Sequence, residues 1–123
     1  MPILDIELVL PDGVAPPVAS LTQDLADAAG RVLGTSPGHT WVRVRSLAAS
    51  HYAENDAAVA VDELPVFVTV LHARLPEGAA LVDEVDSLTR ALAGCLGRSP
   101  QRVHVQYAPA AVGRQAFGGN LVS

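Results

Sequence analysis

A chain of 123 residues, half of them apolar, can build one modest hydrophobic core and hence one domain. Its formal net charge of -5, with only eight Lys and Arg, leaves no basic stripe for a nucleic acid. No apolar run approaches a membrane span, no leader pattern opens the chain and the lone Cys95 rules out an internal disulfide, so the expectation is a cytoplasmic protein with Cys95 buried beside Leu92 and Leu96.

Residues 3–10 alternate with period two, placing Leu4, Ile6, Leu8 and Leu10 on one face and Ile3, Asp5, Glu7 and Val9 on the other, which predicts a strand. Pro11-Asp12-Gly13 ends it. From Pro16 the spacing becomes helical, with Val18, Leu21, Leu25, Ala28 and Val32 on one stripe and Gly34 as the stop. Trp41-Val42-Arg43-Val44-Arg45 returns to period two. A crossover of this length between two strands implies that they pair in parallel. Residues 46–63 form a turn-bearing excursion in which Val59-Ala60-Val61 is a candidate short strand. The pattern then begins again: a strand from Pro65 to Leu71, a helical stripe of Leu81, Val85, Leu88, Leu92, Cys95 and Leu96, and a strand Val103-His104-Val105-Gln106-Tyr107.

The second half repeats the first. Pro2 and Pro65, Leu8 and Leu71, Leu25 and Leu88, Gly34 and Gly97, and Pro37 and Pro100 are each 63 residues apart. Two tandem βαβ units, residues 2–47 and 65–123 separated by the excursion 48–63, predict an α+β fold with a four-stranded sheet and both helices on one face. Such a sheet has a bare face and two edges, and the bare face would carry Asp5, Glu7, Trp41, Arg43 and Arg45. Arg43 and Arg45 either pair there with Asp5 and Glu7 or serve a ligand. Subunits packing sheet against sheet would cover this face.

The residue with the most chemistry is Pro2. Removal of Met1 turns its nitrogen into a secondary amine, which can take a proton from a carbon acid. An α-amino group titrates at about 7.7–8.0 in water, and apolar or cationic surroundings disfavour its charged form. The ordinary alternative is that a proline at the first position of a strand is merely tolerated, since no ladder hydrogen bond is lost there. The four histidines, His39, His51, His72 and His104, show no helical pairing that reads as a metal site.

Met1-Pro2-Ile3, Trp41-Val42-Arg43-Val44, Pro65-Val66-Phe67-Val68, Ser99-Pro100, Val103-His104-Val105 and Ala116-Phe117-Gly118-Gly119, in this order and on a repeat of βαβ units, resemble the tautomerase superfamily. The resemblance implies a homotrimer of two-unit chains forming a barrel, no cofactor and Pro2 as the working group. Pro65 would be its silent counterpart, with chain in front of it. The resemblance implies a small 2-oxo or unsaturated carboxylate as substrate, which arginine suits because its planar fork grips a carboxylate through two charge-assisted hydrogen bonds. Arg43 and Arg74 stand where relatives carry such arginines, Phe117 and Tyr107 are candidates for the pocket wall, and His39 lies loosely where the decarboxylase members carry an aspartate. The resulting expectation is a keto–enol tautomerase with Pro2 as base. The alternatives are a decarboxylase or hydratase using cationic Pro2, and a trimeric binding protein that has lost the chemistry.

Overall fold

The computed structural model describes residues 1–123, and its elements in chain order are β1 (Ile3–Leu10), α1 (Ala19–Leu33), β2 (Trp41–Ala48), β3 (Val66–Leu71), α2 (Ala79–Leu96), β4 (Val103–Tyr107) and a small hairpin of β5 (Ala116–Phe117) and β6 (Asn120–Leu121). The main sheet runs β2-β1-β3-β4. Within each unit the strands are parallel, as a helical crossover requires, and the two units join through an antiparallel β1–β3 pair.

Alternation decides the two faces. Leu4, Ile6 and Leu8 of β1 and Val66, Val68 and Val70 of β3 are almost completely buried and form one core with Leu25 and Ala29 of α1 and Leu88, Leu92 and Ala93 of α2. Val42, Val44 and Val105 on the edge strands pack against the same core, so both helices cover one face. Each helix ends at a glycine with positive φ, Gly34 at 66° and Gly97 at 63°, whose N–H closes the last turn on Gly30 and Ala93. No helix is long and apolar enough to cross a membrane.

Three local expectations are corrected. Val18 is not part of the buried stripe: it caps α1 and is 66% exposed, and Ala29 takes the core position instead. Val59-Ala60-Val61 forms no strand; Val61 opens a short 3₁₀ turn, in which the Glu63 N–H closes on Ala60 O at 2.9 Å, and is 71% exposed. Cys95 is only half-buried, with its thiol toward the Asp24 carbonyl at 3.8 Å.

The repeat also needs a correction of one residue. In the helices the 63-residue spacing holds structurally, since Leu25 and Leu88 are both fully buried. In the central strands the core-facing pairs Leu4 and Val66, Ile6 and Val68, and Leu8 and Val70 are 62 apart. A strand's side chains alternate, so a 63-residue match would set a core residue against a solvent-facing one. Leu71 accordingly pairs with Ile3 on the bare face, and the structural counterpart of Pro2 is Leu64 rather than Pro65.

Candidate functional site

The start of β1 lies at one end of the sheet together with the start of β2 and the ends of β3 and β4, because Ile3 pairs with Trp41 and Leu71 while Val70 pairs with Tyr107. Pro2 is buried there, and its carbonyl accepts the Trp41 N–H at 3.0 Å. Met1 stands outside, 37% exposed.

The tail after β4 builds a roof over this end. Ala111 and Val112 donate to the carbonyls of His72 and Ala73, at the end of β3, at 2.7 and 3.2 Å. The β5–β6 hairpin then brings Phe117 edge-on to Trp41, with ring centroids 5.3 Å apart and an interplanar angle of 82°. Residues 108–121 thus link the β3–β4 side of the sheet to the β2 edge, past the β1 end where Pro2 sits. Trp41 remains 43% exposed, and its indole N–H is satisfied by Gly38 O at 2.9 Å, so the ring presents apolar surface.

The two candidate arginines differ in what they already hold. Arg43 grips Asp5 on the neighbouring strand through two hydrogen bonds of 2.6 and 2.8 Å, directly across the register. The Arg43 hydrogen bond holds the Asp5 carboxyl below its ordinary range. The Arg43 fork is therefore occupied on the bare face. Arg74 is exposed, and its guanidinium donates to the Ser123 carbonyl at 3.2 Å, which leaves its charge without a carboxylate side chain. His39 is exposed in the loop before β2, and its hydrogen bonds stay within that loop, the N–H to Ser36 O at 3.0 Å and Nδ1 3.1 Å from Pro37 O.

Tyr107 belongs to a cluster that no local spacing in the sequence announces. Its hydroxyl donates to Glu84 Oε2 of α2 at 2.8 Å, and His72 Nε2 lies within hydrogen-bond distance of the same oxygen, at 2.9 Å. The Tyr107 and His72 rings stack at 5.9 Å and 13°. Burial, reinforced by the bond to Glu84, pushes the Tyr107 phenol well above its ordinary pKa, so it stays a donor. The side chains of His72 and Glu84 are only 13% and 15% exposed. Twelve residues separate them, across a strand end, a loop and the first turns of α2, which is why neither strand nor helix periodicity pairs them.

The largest cleft, about 540 Å³, lies elsewhere, along the middle of the bare face between Asp5, Glu7, Arg45, Phe67, His104 and Gln106. Its walls are the outward rows of the sheet, charged in both signs, with Phe67 37% exposed.

The chain superposes over nearly its whole length on several solved structures. A wild-type fused 4-OT described as a symmetric trimer matches with a TM-score of 0.67 at 18% identity, covering 98% of this chain and 94% of that one. A macrophage migration inhibitory factor homologue from Prochlorococcus marinus matches at 0.69 and 15% identity, covering 98% and 99%. Malonate semialdehyde decarboxylase matches at 0.65 and 20% identity, covering 94% and 90%. The fold is that of the tautomerase superfamily. No protein-family model and no curated protein matches the sequence, so the likeness of this tautomerase fold to its neighbours lies in the arrangement of its elements.

Proposed function

We propose that the chain is a cofactor-free keto–enol tautomerase of small 2-oxo or unsaturated carboxylates, acting in the cytoplasm as a homotrimer, with Pro2 as general base once Met1 has been removed. The observation that carries this reading is the placement of Pro2: buried at the head of a central strand and tied through its carbonyl to Trp41, whose ring packs on Phe117. A buried secondary amine is disfavoured in its charged form, and a base poised near neutrality moves protons efficiently. Arg74 is the carboxylate anchor in this reading. Its guanidinium would pull electron density toward the forming enol while Pro2 carries the proton between carbon and oxygen. Arg43, already neutralised by Asp5, has no fork to spare, so one carboxylate is held rather than two.

Association is supported by the bare face and by the edges β2 and β4, whose outer backbone groups have no partner strand within one chain. Hydration is less well supported, since residues 108–123 bring no Asp or Glu to activate water. The test is direct. Intact mass of the protein from its host should show loss of Met1, and the trimmed protein should interconvert the enol and keto forms of phenylpyruvate. Pro2→Ala should abolish this without altering the oligomer. An electrophile such as 2-oxo-3-pentynoate, which inactivates the structural neighbour Pt0534, should modify the trimmed protein at Pro2. Unchanged turnover in Pro2→Ala would remove Pro2 from the reaction.

A further inference from the structure

We propose that Glu84 is a positioning residue that, through His72, sets where Arg74 presents its guanidinium; the proposal rests on the reading of Arg74 as the carboxylate anchor. Arg74 lies in the segment 72–78, between the end of β3 and the start of α2. Residues 74–77 make no backbone–backbone hydrogen bond, so no ladder of their own fixes the arginine. The bonds that hold the segment come just before it. Ala111 and Val112 fasten the carbonyls of His72 and Ala73 to the tail, and the His72 side chain reaches Glu84 on α2. Arg74 follows two residues later, and its one hydrogen bond within the chain is to Ser123 O at 3.2 Å.

Glu84 is a firm post for this tether. It stands one helical turn before Leu88, which is fully buried, so it projects from the same face of α2. An apolar side chain there would extend the buried stripe at no electrostatic cost, whereas a carboxylate only 15% exposed has to be satisfied by polar partners. One oxygen, Oε2, meets two rings: the Tyr107 hydroxyl at 2.8 Å and His72 Nε2 at 2.9 Å. The Tyr107 ring also stacks on the imidazole at 13°, so His72 is held both by its edge and by its face. The tether does not depend on which partner carries the proton, since an imidazole N–H can donate to a carboxylate and a carboxylic acid can donate to a bare ring nitrogen. His72 is thereby fixed from the helix side as well as from the tail, and the chain leaves it toward Arg74 in one direction. A polar group set where burial favours an apolar one breaks a local rule, and such breaks mark functional positions.

The decisive experiment is a double-mutant cycle between Glu84 and Arg74 in protein freed of Met1. Glu84→Leu should raise KM for phenylpyruvate about three- to tenfold with a smaller change in kcat, because a displaced guanidinium loses part of a charge-assisted hydrogen bond to the bound substrate. Glu84→Gln, which keeps an acceptor oxygen for both rings, should recover most of this. Glu84→Asp, which draws the oxygen back by one methylene, gives the same comparison should Glu84→Leu not fold. In an Arg74→Ala background Glu84→Leu should change KM no further. Arg98→Ala, which removes bonds to Leu64 O and Val9 O at the opposite end of the sheet, should leave KM as it is. An equal effect of Glu84→Leu with and without Arg74 overturns the proposal. Backbone ¹⁵N relaxation reads the tether without turnover: the Arg74 amide should be more mobile in Glu84→Leu than in the parent, and an amide equally rigid in both also overturns the proposal. Parent protein that turns over nothing overturns the anchor reading instead, and relaxation alone then judges whether Glu84 holds the segment.

Discussion

The two ends of the sheet are built from the same repeat and finished in opposite ways. At the end where β3 and β4 begin, two arginines stitch the backbone shut. Arg98 donates to Leu64 O at 2.6 Å and Val9 O at 3.0 Å, while Arg102 donates to Glu63 O at 2.5 Å and holds Glu54 at 2.7 Å. Tyr52 adds a second bond to Glu54, and its ring lies 5.9 Å from Phe67, so the excursion is fastened down on that end. At the other end, where β1 begins, the corresponding position holds Pro2, and aromatic side chains take the place of the arginines. The difference shows how a duplicated unit divides its work: one end carries the structural cations, and the other holds a buried proline, an arginine with no carboxylate side chain beside it and a pair of aromatic rings.

The comparison can be broken most severely at the first residues. An uncleavable residue ahead of Pro2 should cost at least about a hundredfold in turnover, the scale of a lost general base, whereas Pro65→Ala should leave the rate unchanged. Enol–keto conversion followed by absorbance would check both. Next in size is the contrast between cations. Arg74→Ala should raise KM by roughly tenfold or more, as expected for a lost charge-assisted hydrogen bond, while Arg43→Ala should change it by less than about threefold because its fork already holds Asp5. On the stitched end, Arg98→Ala strands two carbonyls and should destabilise the fold by about 1–3 kcal/mol in urea titrations, with turnover per folded molecule preserved. The helix stops should respond alike, since Gly34→Ala and Gly97→Ala each place a side chain in a left-handed conformation at a cost of about 1–2 kcal/mol.

The smallest effect is in acid. Asp5, Asp12 and Glu54 are held below their ordinary pKa values, Asp5 chiefly by its hydrogen bond from Arg43, Asp12 by the Ser50 N–H, and Glu54 by Tyr52 and then Arg102. The folded chain therefore takes up protons less readily than the unfolded one. Their stabilisation is complete above the ordinary carboxylate range of about 4 and is lost as the pH falls through it. The urea midpoint should decline below about pH 4, and Asp5→Asn should make that decline shallower.

The fold was legible in the sequence because two periodicities, one of two and one near 3.6, recur in the same order in each half, and Gly34 and Gly97 stop both helices. The repeat spacing was legible only to within a residue: Leu8 and Leu71 match in type but face opposite sides of the sheet, and alternation alone cannot distinguish a 62-residue from a 63-residue step without knowing which face is covered. Pro2 could be singled out by its place behind Met1 at the head of a strand, whereas Arg74, Phe117 and Tyr107 were singled out only through the resemblance to the tautomerase superfamily. Whether Arg43 faces a ligand or Asp5 depends on strand register, which pairs Asp5 with Arg43, and this appears only in three dimensions. His72 and Glu84 were invisible as a pair for the same reason. Nothing between them in the chain has a period, and only the packing of α2 over the end of β3 brings them together.

The segment that joins the β3–β4 side of the sheet to the β2 edge is a late arrival. Phe117 is synthesised more than a hundred residues after β1 begins. A growing chain can thus assemble both helices and all four strands of the main sheet while Trp41 still lacks its aromatic partner. The Trp41–Phe117 contact should accordingly close last, when residues 108–121 fold back across the end of the sheet.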